Sequence, residues 1–292
     1  MRRILVLRGG ALGDFLVTLP ALRLLRQRWP HARIELAGNA TAAELGCTDG
    51  LLDAAHSQHE SKWAQLYRPA PLSRVFAEWL DWFDLVLSYW PDPDRELQRH
   101  FPVRPGQVFL SADASPQTAP AAAHYCEPLR ALGLATGDYS HHLRWGPSVR
   151  QSPLLAAARL IALHPGSGSP RKNWPLSRWA ELCCELRIRP NTNLLIITGE
   201  AEPADALAAF GQHARQLPLP ALARRLSDCT LFLGHDSGVS HLAAALGVPC
   251  LLLFGPTEPA LWAPPGPHVR VIRRGPSLNA ISVADVIAQI AR

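Results

Sequence analysis

Short runs of consecutive apolar residues alternate along this chain with stretches whose apolar positions recur at helical spacing. In the first half the runs read as strands over residues 4–7, 33–37, 51–54, 84–88 and 107–110. In the second half they fall at 160–163, 194–198, 230–233, 250–254 and 269–272. Continuous rather than alternating apolarity predicts parallel strands covered on both faces. Helical patterns lie between them, among them 15–28 and one beginning near Ser177, so the strands are joined as βαβ units in a doubly wound α/β arrangement. A last helix over 282–291 carries Val283, Val286, Ile287 and Ile290 on one face and should dock on a domain. The polar, proline-bearing stretch 145–153 reads as a linker. The expectation is two Rossmann-like parallel-sheet domains, residues 1–150 and 151–292, facing each other across a cleft. Residues 56–80, rich in Trp, Arg and Pro without a clean period, read as loop and helix pieces.

Chemistry enters first at His164-Pro-Gly-Ser-Gly-Ser-Pro-Arg-Lys-Asn-Trp-Pro175, which follows the apolar run Leu160-Ile-Ala-Leu163. A strand feeding a Gly/Ser turn, a basic pair and a helix start suits phosphate. Glycines let the backbone approach an anion, and free N–H groups at a helix entrance point toward it. Arg171 and Lys172 add full positive charge where a diphosphate would lie.

A second stretch, Leu231-Phe-Leu-Gly-His-Asp-Ser-Gly-Val-Ser-His-Leu-Ala-Ala-Ala245, runs from a strand through a polar turn into a small-residue helix. Val248-Pro-Cys-Leu-Leu-Leu-Phe-Gly-Pro-Thr-Glu-Pro259 supplies another strand and turn, and near the start Ile4-Leu-Val-Leu7 feeds Arg8-Gly-Gly-Ala-Leu-Gly-Asp14. These four ordered blocks together resemble glycosyltransferase family 9, the lipopolysaccharide heptosyltransferases. The resemblance implies the two-domain GT-B arrangement, with a first domain on the acceptor side and a second that binds a nucleotide-diphosphate sugar. It further implies inverting transfer of a sugar, with an ADP-linked heptose as the first expectation, to a lipopolysaccharide-core or related glycan.

Each candidate residue has a plainer reading beside that one. Asp14 can be a helix N-cap; the resemblance makes it the general base, with Gly13 in the acceptor-side loop. Lys172 and Arg171 can be solvated turn charges, but after a Gly/Ser turn at a strand end they favour a diphosphate, joined by Ser167 and Gly168. Asp236 or Ser237 can cap the helix that follows; the resemblance puts Asp236 on hydroxyls of the donor sugar and Ser237, Gly238 and His241 near the diphosphate. Glu200 and Glu202, just past a strand end, are candidates for the nucleoside ribose, Glu200 being taken for the site. Gly9, Gly10 and Gly13 do not make a dinucleotide fingerprint, because Arg8 stands where the first glycine is required. His235-Asp236-Ser237 cannot form a triad from adjacent positions, and no GxSxG elbow surrounds Ser237. The His56–Leu80 region is expected to contact the acceptor.

Composition narrows the picture further. The 292 residues are 48% apolar, enough for two cores, and no run of about 18 apolar residues exists to cross a membrane. Met1-Arg-Arg precedes too short an apolar run for a secretory signal. The six cysteines lack CxxC spacing and read as reduced residues of a cytoplasmic protein, one that can sit peripherally at the inner membrane face where a glycolipid acceptor lies. A net charge of +5 and pI near 9.1 favour anionic ligands, without the aromatic-interleaved basic run that nucleic acid would need. Asp92-Pro-Asp94 spells a DxD motif but lies in a proline-rich loop and reads as a surface turn. His56/His59 and His141-His142 lack zinc-site spacing. No metal and no cofactor are expected, the nucleotide sugar being a substrate. The alternatives are a nucleotide-sugar 2-epimerase and a non-catalytic nucleotide-sugar binder.

Overall fold

The computed structural model describes residues 1–145, 159–199, 202 and 207–290. The chain divides into two compact units, Met1–Tyr139 and Ser140–Arg292. The first holds strands β1 (Arg3–Arg8), β2 (Arg33–Gly38), β3 (Ala54–Ser57), β4 (Leu85–Ser88) and β5 (Val108–Ser111). Its helices are α1 (Leu12–Val17), α2 (Leu19–Arg28), α3 (Ala40–Thr48), α4 (Arg74–Leu80), α5 (Glu96–His100) and α6 (Ala121–Cys126), with a 3-10 turn at Ser61–Tyr67. The second holds β6 (Arg159–Leu163), β7 (Thr192–Thr198), β8 (Gln212–Arg215), β9 (Leu231–His235), β10 (Cys250–Phe254) and β11 (Val269–Arg273). Its helices are α7 (Leu176–Arg187), α8 (Leu219–Ser227), α9 (Gly238–Ala245), α10 (Pro259–Trp262) and α11 (Val283–Ile290).

Both sheets are wholly parallel, in the orders β3-β2-β1-β4-β5 and β11-β10-β9-β6-β7-β8. In each, the strand order reverses beside the unit's first strand, between β1 and β4 and between β6 and β9. Such switch points leave a crevice at the carboxyl ends of the strands, where ligands of doubly wound sheets bind. The expected fold class is therefore present: two parallel-sheet α/β domains. Strand apolarity follows from cover on both faces; Ile4, Leu5, Val6 and Leu7 of β1 are all fully buried.

Four expectations shift. The division falls after Tyr139, not after residue 150, because the segment beyond it packs on the second unit: Leu143 N–H donates to Ala245 O at 2.9 Å, and the His141 ring stacks on His241. Of the expected linker 145–153, the part from 146 onward lies outside the described residues. The single helix over 15–28 is two, starting three residues earlier and broken at Thr18, since Pro20 has no N–H to offer the Leu16 carbonyl. The strand expected at 51–54 begins at Ala54; Leu51 and Leu52 are buried in the turn after α3 instead. Strand β8 was not expected, because it is a short polar edge strand of which Ala214 alone is buried. The last helix docks as its apolar face predicts, on the core around Trp179, Leu182 and Leu186 of the second unit.

Candidate functional site

In the first unit, β1 ends at Arg8 and the chain turns through Gly9-Gly10-Ala11 into α1. Gly10 has φ +101°, and a Cβ there would lie 2.4 Å from Asp14 Oδ2, so glycine is required on both counts. Asp14 is not the N-cap; Ala11 is. Asp14 occupies the third helical position and reaches back, its Oδ2 accepting the Ala11 N–H at 2.8 Å, the acidic half of a capping box. Its Oδ1 pairs with Arg8 Nη2 at 3.0 Å. The Arg8 side chain is 3% exposed against 36% for Asp14, so a buried cation holds a carboxylate that solvent still reaches. Arg8 is itself fixed: Nε donates to Thr18 Oγ1 at 3.1 Å and the guanidinium lies 4.3 Å from the Tyr125 ring centroid. Gly13 sits one residue ahead of Asp14 on α1. This arrangement orients a carboxylate at the β1/β4 switch point.

In the second unit the turn after β6 and the turn after β9 meet. Lys172 Nζ lies 3.1 Å from Asp236 Oδ2, although 64 residues separate them. Lys172 belongs to a 3-10 turn at Pro170–Lys172, and Arg171 beside it is exposed. Ser237, not Asp236, caps α9, its hydroxyl accepting the Ser240 N–H at 3.3 Å. Gly238 opens that helix, so its N-terminal N–H groups lie beside the Lys172–Asp236 pair. The Ser167 hydroxyl is engaged inside its own turn, 2.8 Å from Ser169 O and 2.6 Å from Asn173 Oδ1. Ser167 therefore shapes the loop, while Gly168 is exposed with open space around it. His241 is buried one turn into α9, its Nδ1 3.3 Å from Nδ1 of His141.

Glu200 lies outside the described residues. Glu202, its alternative, bends back over the turn after β6: its carboxylate accepts the Gly199 N–H, and a Cβ on Gly166 would collide with it. Asp92 is a helix-capping residue, its two carboxylate oxygens accepting the N–H groups of Leu97 and Gln98 at 2.9 and 3.0 Å. That use supports the surface-turn reading of Asp92-Pro-Asp94. Among the described residues no cluster of three or more His, Cys, Asp or Glu side chains is arranged for a metal ion.

His235 is the residue whose role the sequence did not disclose. It is buried at the end of β9, Nε2 accepts the Trp174 N–H at 2.9 Å, and Nδ1 lies 3.4 Å from Gly166 O. It thus ties both ends of the turn after β6 to the end of β9, just before Asp236 and Ser237. Burial, with help from His164 and Lys172, lowers its pKa to about 3, so the ring is neutral and its Nδ1–H donates to Gly166. His164 is likewise held below its ordinary range, chiefly by burial, with Nδ1 3.0 Å from Ile197 O. The sequence signal was an unexplained His before Asp-Ser-Gly; its partners lie 61 and 69 residues away.

The profile of glycosyltransferase family 9 (heptosyltransferase) matches residues 122–283, more than half of the chain. Lipopolysaccharide heptosyltransferase 1 of Pseudomonas aeruginosa is 38% identical over 109 residues, spanning 35% of this chain and 30% of that protein. Lipopolysaccharide heptosyltransferase 1 of Escherichia coli K12 is 24% identical over 318 residues, spanning 96% of each. The structure of the E. coli heptosyltransferase WaaC with ADP superposes with a TM-score of 0.76 at 21% identity, covering 99% of both chains. The same protein solved with ADP-2-deoxy-2-fluoro heptose gives 0.74 at 20% identity, again covering 99% of both chains. The family match does not favour a nucleotide-sugar 2-epimerase. The chain belongs to glycosyltransferase family 9, the heptosyltransferases.

Proposed function

We propose that this protein transfers heptose from ADP-heptose to a sugar of the lipopolysaccharide core, by an inverting, metal-independent mechanism. The observation that carries the reading is the junction of Lys172, Asp236 and the α9 N-terminus at the β6/β9 switch point. An ammonium has three N–H donors, so Lys172 can keep its bond to Asp236 and still donate to phosphate oxygens. The free N–H groups of α9 and the exposed Arg171 add to the positive potential there. Asp236 and Ser237 are left to meet sugar hydroxyls and the diphosphate, with His241 a turn further along α9. Glu200 is kept as the ribose ligand on the strength of its position after β7.

In the reaction the acceptor hydroxyl oxygen forms a bond to the anomeric carbon as the bond from that carbon to the diphosphate oxygen breaks. The leaving ADP takes the electron pair, and Asp14 takes the hydroxyl proton. Lys172 and the helix N–H groups stabilise the charge that grows on the diphosphate, the role a divalent ion plays in other transferases. The first unit thus supplies the base on the acceptor side and the second holds the donor. Among the described residues no helix is long and apolar enough to cross a membrane, and a glycolipid acceptor places the work at the inner membrane face.

Lys172→Ala tests the donor half. The side chain is 25% exposed and outside the core, so the fold should persist while ADP affinity falls about ten- to a hundredfold, the worth of a charged hydrogen bond to phosphate. Unchanged ADP affinity in calorimetry would remove the turn from the donor site.

A further inference from the structure

The first stretch of the second unit, from Ser140, lies along α9 and has no part in the mechanism proposed above. Leu143 N–H donates to Ala245 O at 2.9 Å in the last turn of α9, and His141 meets His241 one turn earlier. Both rings are buried, each histidine being 4% exposed. The ring planes differ by 26° with centroids 5.2 Å apart, and the two Nδ1 atoms are separated by 3.3 Å. His241 stands four residues after the cap Ser237, to whose carbonyl it donates its own N–H at 3.2 Å. Side chains of a helix lean toward its N-terminus, so the His241 ring leans toward the turn that holds Asp236 and Ser237.

Two facing Nδ1 atoms make a hydrogen bond only when one proton lies between them, and the tautomers decide whose it is. Burial and the neighbouring His241 ring hold His141 well below the ordinary histidine range, so its ring is neutral and carries a single proton. Its Nε2 is buried with no hydrogen-bond partner among the described residues. A proton on Nε2 would bury an N–H donor without an acceptor, and orphaned donors are rarer in proteins than under-used acceptors. A proton on Nδ1 meets His241 and leaves only a lone pair unused. His141 therefore donates, His241 Nδ1 accepts, and the proton of His241 sits on Nε2.

Resting on the placement of His241 beside the donor diphosphate, we infer that His141 is a positioning residue: its Nδ1–H holds His241 in the Nε2–H form, with Nε2 a donor for a phosphate oxygen. The form an imidazole takes is set by the bond its other nitrogen makes. The opposite tautomer would turn a lone pair toward the phosphate and repel it. The same bond fixes the ring before the donor arrives, so less freedom is lost on binding. His241 then adds a neutral hydrogen bond to the charge that Lys172 and Arg171 bring.

The tautomers can be read without substrate. Long-range ¹H–¹⁵N spectra of the whole protein labelled in histidine, with signals assigned by their loss in His141→Phe and His241→Ala, should show Nδ1–H on His141 and Nε2–H on His241. In His141→Phe, which keeps a ring and removes the N–H, His241 should show both tautomers. The ADP Kd of that variant, by calorimetry, should rise about three- to tenfold, because the competent form is then only part of the population. His141→Asn gives up the ring but keeps an N–H close to where Nδ1 stood, and its Kd should stay within about twofold of the parent. A packing role alone predicts the reverse order, with Phe tolerated and Asn impaired; melting temperatures on the same samples show that each variant is folded. Weaker ADP binding in Asn than in Phe, or Nδ1–H on His241 in the parent, would overturn the assignment. Unchanged ADP affinity in His241→Ala, with the parent spectra as expected, would instead strike the diphosphate placement and leave the His141–His241 bond standing.

Discussion

At the scale of single residues, the most consequential contact is the one between Arg8 and Asp14. A cap alone would let Asn replace Asp without loss, since Asn accepts the same backbone N–H. The ion pair changes that expectation, because Asn would leave the buried guanidinium without its counter-charge. Asp14→Asn should therefore cost about 1–3 kcal/mol of stability, below the full cost of a broken buried pair because Asp14 is partly exposed. Turnover measured well below the variant's own Tm should fall about 10²–10⁴-fold with ADP affinity preserved. Near-normal turnover would leave Asp14 as a structural partner of Arg8 only. His235 makes a second prediction, in pH. Its folded-state pKa lies at about 3, below the ordinary histidine value of about 6.5, so between those values the unfolded chain binds a proton that the folded chain does not. Stability is full above the upper value and falls as the pH drops, by about 2 kcal/mol at pH 5 for one such histidine. Urea midpoints at pH 7 and pH 5 should show this loss, and His235→Gln, weaker at pH 7, should show a shallower dependence. An equally steep slope in the variant would assign the pH effect elsewhere, with His164 and His141, both held low by burial, the next candidates.

At the scale of elements, the strand-to-helix turns carry the chemistry. Gly10→Ala places a methyl group against Asp14 and forces a left-handed backbone on alanine. It should destabilise by about 1–3 kcal/mol and lower turnover at least tenfold by displacing the carboxylate, without changing ADP affinity. Kinetics and calorimetry on one sample would separate this from a general loss of fold. These turns were legible in the sequence because glycine, a strand before and a helix after leave few other readings, and the Lys172 and Asp236 turns do meet. Elements with weaker patterns were not. Strand β8 is polar because it lies at a sheet edge, and β3 was displaced toward Leu51 and Leu52, whose burial in a turn looks like strand apolarity in sequence. The break at Thr18 was written in Pro20, yet the apolar period running through it suggested one helix. His235 and the Arg8–Asp14 pair were out of reach for another reason: their meaning lies in partners set by tertiary packing, and sequence spacing alone does not name partners.

At the scale of the whole molecule, one plan is used twice. Each unit is a parallel sheet whose strand order reverses next to its first strand, and the candidate residues of each lie at that reversal. The first presents a carboxylate paired with a buried arginine, the second a lysine and a helix N-terminus beside an acidic residue. On the proposed reading the carboxylate serves the acceptor and the lysine turn the donor diphosphate, the two roles that transfer by a family 9 enzyme requires. On the proposed reading, side chains and N–H groups meet the leaving-group charge, and transfer should then need no divalent ion. The most direct test is to incubate the purified protein with ADP-heptose in EDTA, with and without lipopolysaccharide lacking the heptose, and to follow ADP and the mass of the acceptor. The account predicts ADP release that requires the acceptor, equals the heptose gained by it, and slows by about 10²–10⁴-fold in Asp14→Asn. Release without acceptor, no gain in acceptor mass, or activity that returns only on adding Mg²⁺ or Mn²⁺ would contradict it.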